Sequence, residues 1–230
     1  MSETWTDSLG VFDLETTGID VRTSRIVTAH VGVLDASGVL TESTEWLADP
    51  GVEIPTQASA VHGITTEKAR AEGRPAAQVV AEITAALRRL FDSGRAVVIY
   101  NAPYDLSILR HEALRHDTEP LENPRPIIDP LVIDKAVDRY RKGKRTLEFA
   151  SLHYGVVLQG AHDAQADAVA SGRVAQAIAA RFTNELPADM QELHDRQVEW
   201  AAQQAASFQE YMRRVKDPTF TASGEWPVRH

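Results

Sequence analysis

The chain has no cysteine among its 230 residues. Disulfides, thiolate nucleophiles and soft sulfur ligands are therefore excluded, and any metal must be held by oxygen or by histidine nitrogen. No apolar run approaches the roughly 20 residues that a membrane-spanning helix requires. The opening Met1-Ser-Glu-Thr-Trp5 lacks the basic and apolar regions of a signal peptide, so a cytoplasmic location with no membrane contact is expected. Positive charge is scarce: 24 Lys and Arg stand against 33 Asp and Glu, a formal net charge of −9. That balance argues against a protein that coats nucleic acid, because coating depends on a basic surface. It does not exclude an enzyme that holds a nucleic-acid end in an acidic, cation-loaded site. No internal repeat or low-complexity tract is visible.

Hydrophobic residues make up 43% of the chain and charged residues 25%, close to globular averages, so a folded chain is expected. Its length suits one sizeable domain with an appendage. Residues 8–14 read as a first strand. Arg25–Leu34 alternates and is rich in β-branched residues, Asp35-Ala-Ser-Gly38 is a turn signal, and Val39–Leu47 follows as a hairpin partner. Pro75 opens a helix through Phe91 with Val79, Ile83, Leu87 and Leu90 on one stripe. Ala96–Tyr100 suits a strand buried on both faces. A helix is expected from Pro103 with Leu106, Leu109 and Leu114 inward. A short strand over 124–128 precedes helices at about 130–141, 146–153 and 163–182. Strands that come first as a hairpin and later alternate with helices predict a mixed α/β sheet flanked by helices. Pro187 begins a last helical segment to about Lys216, and Pro218–His230 reads as a tail.

The stretch Val11-Phe-Asp-Leu-Glu-Thr-Thr-Gly18 organises the rest. On a strand, side chains two apart share a face, so Asp13 and Glu15 stand side by side. Two such carboxylates repel and are costly to keep ionised without a cation between them. Alone, the pair also fits a strand exit with solvated acids. Asp105 lies just past a buried strand in a predicted first helical turn, where an acid also serves the helix N-terminus. In His162-Asp-Ala-Gln-Ala-Asp167, Asp163 reads as the N-cap, with His162 just before the helix and Asp167 in its first turns. Asp13, Glu15, Asp105 and Asp167 together supply hard oxygen ligands that suit magnesium or manganese. Two such ions about 4 Å apart activate water and stabilise the leaving oxygen of a phosphodiester. A histidine beside them is a candidate to take the proton from that water.

Phe12-Asp-Leu-Glu-Thr-Thr-Gly18, Asn101-x-x-x-Asp105 and His162-x-x-x-x-Asp167 resemble, in order, the three exonuclease motifs of the DEDDh (DnaQ-like) family. The branch containing the proofreading epsilon subunit of bacterial DNA polymerase III is the most similar, and Val61-His-Gly-Ile-Thr65 resembles a substrate-loop signature of that branch. The resemblance covers roughly residues 8–182. It implies a ribonuclease-H-like fold with a five-stranded mixed sheet and an exonuclease domain over 8–182; the residue pattern beyond it reads as a helical extension over 183–217 and a tail over 218–230. It implies 3′→5′ hydrolysis of DNA ends, single strands or frayed, to nucleoside monophosphates with two Mg²⁺ or Mn²⁺ ions per site. Asp13, Glu15, Asp105 and Asp167 are then the metal ligands and His162 the general base. The backbone and hydroxyl at Thr16 and Thr17 lie against the terminal 3′-hydroxyl, and His62 and Asn101 lie near the terminal nucleotide. Leu14 and Tyr104 depart from the residues frequent at their places, and neither change removes a ligand. The same residues fit an RNA 3′-exonuclease of the ribonuclease T or oligoribonuclease type. A non-catalytic module that binds nucleic acid or a polymerase is a third reading; retention of all four acids and the histidine counts against it.

Two segments stay ambiguous. Arg139-Tyr-Arg-Lys-Gly-Lys-Arg145 is the one dense basic run; it suits substrate phosphates and equally a helix C-terminus capped by Gly143. The last helix offers a packing face or a partner surface for a polymerase, and Gln204-Ala-Ala-Ser-Phe208 faintly resembles a sliding-clamp-binding peptide. The oligomeric state is not readable.

Overall fold

The computed structural model describes residues 4–158, 160 and 162–230. In chain order the elements are β1 (Ser8–Thr16), β2 (Ile26–Asp35), β3 (Leu40–Asp49), α1 (Thr56–His62), α2 (Thr66–Glu72), β4 (Arg74–Pro75) and α3 (Ala76–Asp92). There follow β5 (Val97–Val98), α4 (Ala102–Arg115), β6 (Ile127–Ile128), α5 (Pro130–Val137), α6 (Leu147–Tyr154), α7 (Ala164–Arg181) and α8 (Met190–Val215). The sheet has the order β4-β3-β2-β1-β5-β6. β1, β2 and β3 form an antiparallel meander, and β5 and β6 run parallel to β1.

The expected ribonuclease-H-like mixed sheet is present, with one correction: six strands rather than five. The sixth, β4, is two residues long and pairs Arg74 and Pro75 with Ala48 and Asp49. A pair so short has no alternating pattern to read. A second correction concerns Leu114, expected inward but 52% exposed. Leu106 and Leu109 are three apart and share the buried face of α4; Leu114 lies five beyond Leu109, about 140° around the helix.

β1 explains the two sides of the molecule. Its even residues Phe12 and Leu14 pack with α3 and α4 side chains such as Ile83, Leu87 and Leu109. Its odd residues Leu9 and Val11 pack with α7 through Val174, Ala175 and Ile178. Continuing the alternation, Asp13 and Glu15 occupy the α7 side at the C-terminal end of β1. Gly172 lets α7 lie on the sheet. A Cβ there would stand 2.5 Å from Leu34 Cδ1 and 2.7 Å from Val11 Cγ1.

The final segment packs against the body of the domain. Gln197 of α8 accepts from the Asp129 amide at 2.6 Å and donates to the Ile127 carbonyl at 3.0 Å. Trp226 is buried, and the Arg229 amide donates to Ser107 Oγ at 2.8 Å. Gln204–Phe208 lies within α8, so it does not have the extended form of a clamp-binding peptide. Among the described residues no helix is long and apolar enough to cross a membrane.

Candidate active site

Three elements converge at the C-terminal end of β1. β5 stops at Val98, so the β1 edge beyond Val11 has no strand beside it. Asp105, in the first turn of α4 and only 3% exposed, fills that gap: the Leu14 amide donates to its Oδ1 at 3.1 Å. α4 begins where Asn101 takes a left-handed conformation (φ 64°), which asparagine tolerates better than most residues. The Asn101 side chain is exposed and caps nothing. α7 supplies the third approach. Asp163 is its N-cap, accepting from the Ala166 amide at 3.0 Å, and Asp167 follows one turn later.

His162 precedes that cap in a left-handed conformation (φ 69°), and its amide donates to Asp167 Oδ2 at 3.3 Å. This backbone turn reverses the divergence that a continuous helix would give residues five apart. As a result Glu15, His162 and Asp167 each offer an atom within 4.8 Å of the other two. Asp167 Oδ1 is buried with no hydrogen-bond partner among the described residues.

The acids disturb one another. Burial first, then the charges of Asp105, Asp167 and Glu15, pushes the Asp13 carboxyl well above the ordinary range. Glu15 is pushed up to about 8 by burial and by Asp167 and Asp163. Asp105 is raised by burial against the lowering pull of the Leu14 amide, and Asp167 is raised by burial against the His162 amide. Such a site is incomplete without positive charge. Carboxylate oxygens, one of them orphaned and buried, fit a hard divalent cation.

Thr16 and Thr17 lie beside this cluster, both buried. Their hydroxyls are engaged within the protein: Thr16 Oγ1 donates to the Gly18 carbonyl at 2.8 Å, and Thr17 Oγ1 accepts from the Arg25 amide at 2.9 Å. Tyr104 donates to the same Gly18 carbonyl at 2.7 Å and lies 2.6 Å from Thr16 Oγ1, so its ring fixes this turn. What the Thr16–Thr17 step offers a ligand is therefore backbone. His62 ends α1 with its ring against the Thr16 backbone; its Nδ1 accepts from the Ile64 amide at 3.2 Å, and burial pulls its pKa down.

Two residues of this region carried no clear sequence signal for their role. Asp129 is legible as the N-cap of α5, and it accepts from Leu131. It also accepts from the Asn101 and Ala102 amides, at 3.0 Å each, and from Trp226 Nε1 at 3.2 Å, tying the start of α4 to the C-terminal segment. His30 lies opposite Asp13 in the β1–β2 register, fully buried, with neither ring nitrogen hydrogen-bonded among the described residues and its pKa lowered by burial to about 4. An isolated histidine in an alternating strand gives no hint of such a neighbour.

Two of the five basic residues in the run are structural. Arg141 and Arg145 both donate to Asp134 Oδ2 at 2.6 Å, and the Tyr154 hydroxyl donates to Oδ1 at 2.7 Å. Arg139, Lys142 and Lys144 remain exposed.

The chain is similar to known proteins in sequence and in fold. A DNA polymerase III subunit epsilon-like protein of Rhodobacter capsulatus is 32% identical over 177 residues, 74% of this chain and 24% of that protein. Escherichia coli exonuclease I, solved with a dT13 oligonucleotide, superposes with a TM-score of 0.65 at 20% identity over 77% of this chain and 42% of the other. A moderately thermophilic exonuclease I from Methylocaldum szegediense gives a TM-score of 0.64 at 23% identity, covering 86% and 46%. The chain thus spans about a quarter of the curated relative and under half of these structures. The resemblance drawn from the three motifs is borne out. The family model described as exonuclease matches residues 11–175 of the 230, and the chain belongs to that exonuclease family.

Proposed function

We propose that the chain removes nucleoside monophosphates from the 3′ end of DNA, acting on single strands or frayed ends. The observation that carries this reading is the convergence of four mutually destabilised carboxylates with one histidine beside them. Asp13, Glu15 and Asp167 would hold two divalent ions, Mg²⁺ or Mn²⁺, with Asp105 as a further ligand directly or through water. Such ions would supply an activated water and neutralisation of charge on the phosphoryl oxygens. His162 accepts the proton of the attacking water at its imidazole. The Thr16–Thr17 backbone receives the terminal 3′-hydroxyl, Tyr104 holds that backbone in place, and His62 and Asn101 border the terminal nucleotide.

DNA is preferred over RNA as substrate because the similar proteins are named for DNA polymerase III and one was solved with a DNA oligonucleotide. A polymerase partner is an expectation from the same names. The test incubates purified protein with 3′-ended single- and double-stranded DNA and matched RNA, in Mg²⁺, Mn²⁺ or EDTA. Metal-dependent shortening of DNA is expected, with Asp13→Ala lowering the rate by orders of magnitude. No shortening of any substrate refutes the enzyme reading; undiminished shortening by Asp13→Ala refutes the site assignment.

A further inference from the structure

Beyond the terminal nucleotide, a substrate strand needs a path away from the acids. Two cavities mark one. The first, about 420 Å³, begins at Asn101 and Pro103 at the start of α4 and extends between α5, α8 and the C-terminal segment. The second, about 450 Å³, continues past the end of α5 to Arg139. Lys135, Gln204 and Phe208 line both, so the two form one continuous groove. Its mouth lies beyond the C-terminal ends of β5 and β6, the same end of the sheet at which β1 presents Asp13 and Glu15, because β5 and β6 run parallel to β1.

The lining differs from the rest of an acidic chain. Lys135, Arg139 and Arg229 bring three cations to the groove, against Glu225 and Asp129. Asp129 is buried and spends both oxygens on four internal donors. Glu225 accepts from the His230 amide at 3.3 Å. Phe208 is 51% exposed and makes a T-shaped contact with Phe220. Past Arg139 the surface stays of the same kind: Tyr140 is 88% exposed with the Arg139 guanidinium over its ring, and Lys142 and Lys144 follow. The Tyr100 hydroxyl donates to the Arg145 carbonyl at 2.6 Å, which anchors this basic loop beside the strand that leads into Asn101. Cations tracking a groove with interleaved exposed aromatics are the features that bind a single strand without sequence preference.

We infer that this groove seats the part of a single-stranded nucleic acid lying 5′ to the nucleotide being removed. The inference rests on the proposed exonuclease reading and adds where the remainder of the strand goes. Lys135 and Arg139 contact its phosphates, and Phe208 and Tyr140 stack on its bases.

The test compares hydrolysis of a dinucleotide, too short to reach the groove, with that of an oligonucleotide of about ten residues. For the Lys135→Ala/Arg139→Ala double variant, the ratio of kcat/KM on the oligomer to that on the dinucleotide should fall about tenfold. The slope of log affinity against log salt should flatten by about 1.4, from two phosphate contacts on a single strand. Phe208→Ala should lower the same ratio without changing the salt slope. An unchanged ratio and slope overturn the inference, as does an equal loss on both substrates. Wild-type protein that cleaves neither substrate refutes the exonuclease reading itself, a separate outcome.

Discussion

Metal-free protein should lose stability as pH rises from 7 to 9. The ordinary Glu15 value is 4.5 and the folded value about 8, so in this window the folded chain holds a proton that the unfolded chain has released. Stability then falls with pH, because the unfolded state binds fewer protons. From pH 7 to 9 a carboxyl of this kind costs about 1.4 kcal/mol, which partial solvent exposure trims to about 1 kcal/mol. The raised values of Asp13, Asp105 and Asp167 add in the same direction wherever they still titrate. The histidines with lowered values, His30, His62, His111 and His194, oppose the trend only near pH 7, where each unfolded imidazole still binds a fraction of a proton that the folded ring does not; by pH 8 that opposition is gone, so the fall is clearest between pH 8 and 9.

For a domain of this size 1 kcal/mol moves Tm by about 2–4 °C. The measurement is thermal unfolding in EDTA across pH 7–9, repeated with saturating Mg²⁺. At a hundredfold excess over Kd, the ion should add about 2.7 kcal/mol and remove the downward slope, since it binds the ionised acids. Glu15→Gln should flatten the EDTA curve. A Tm in EDTA that is level or rising between pH 7 and 9, or that ignores Mg²⁺ at pH 8, refutes the picture of carboxylates crowded together to await a cation.

Other substitutions probe separate parts of the site. His162→Ala should lower kcat by about 10²–10⁴ while Mg²⁺ affinity by calorimetry is largely kept; lost metal binding would make the histidine a ligand instead. Gly172→Ala forces a methyl within 2.5 Å of Leu34 Cδ1 and should cost about 1–3 kcal/mol by urea unfolding. It should also weaken Mg²⁺ binding, because α7 carries Asp167. Trp226→Phe leaves the buried Asp129 one donor short and should cost about 1–3 kcal/mol. Stability unchanged by that substitution would mean the C-terminal segment is not coupled to the start of α4.

The sequence carries whatever repeats locally. The β1–β2–β3 meander and the buried stripe of α3 follow from periods of 2 and 3.6, and Asp13 and Glu15 share a face for the same reason. The Asp163 cap was legible because N-capping is a short-range preference. What escaped depends on contacts far apart in sequence. Trp226 reaches Asp129 across 97 residues, and no pattern within 218–230 announces a buried indole. The hydroxyls of Thr16 and Thr17, expected against a 3′ end, are taken up by the Gly18 carbonyl and the Arg25 amide, contacts that no local pattern announces. Arg141 and Arg145 looked like part of a phosphate patch because their partner, Asp134, lies on the buried side of α5.

The fold tolerates this site because β1 changes character along one face. Leu9 and Val11 lie under the body of α7, where Gly172 brings the helix into contact and burial of aliphatic surface supplies stability. Two residues further the same face turns acidic, under the first turn of the same helix. Tilting α7 to relieve the repulsion at Asp167, about one and a half turns away, would disturb the close packing of Gly172 against Leu34 and Val11. The strain therefore stays where the acids are, relieved only by protonation or by a cation. The left-handed backbone at His162 adds a further cost, about 1–3 kcal/mol, at the same point. Local conflicts confined to one end of a strand, within an otherwise consistent core, are what a binding site for divalent ions requires.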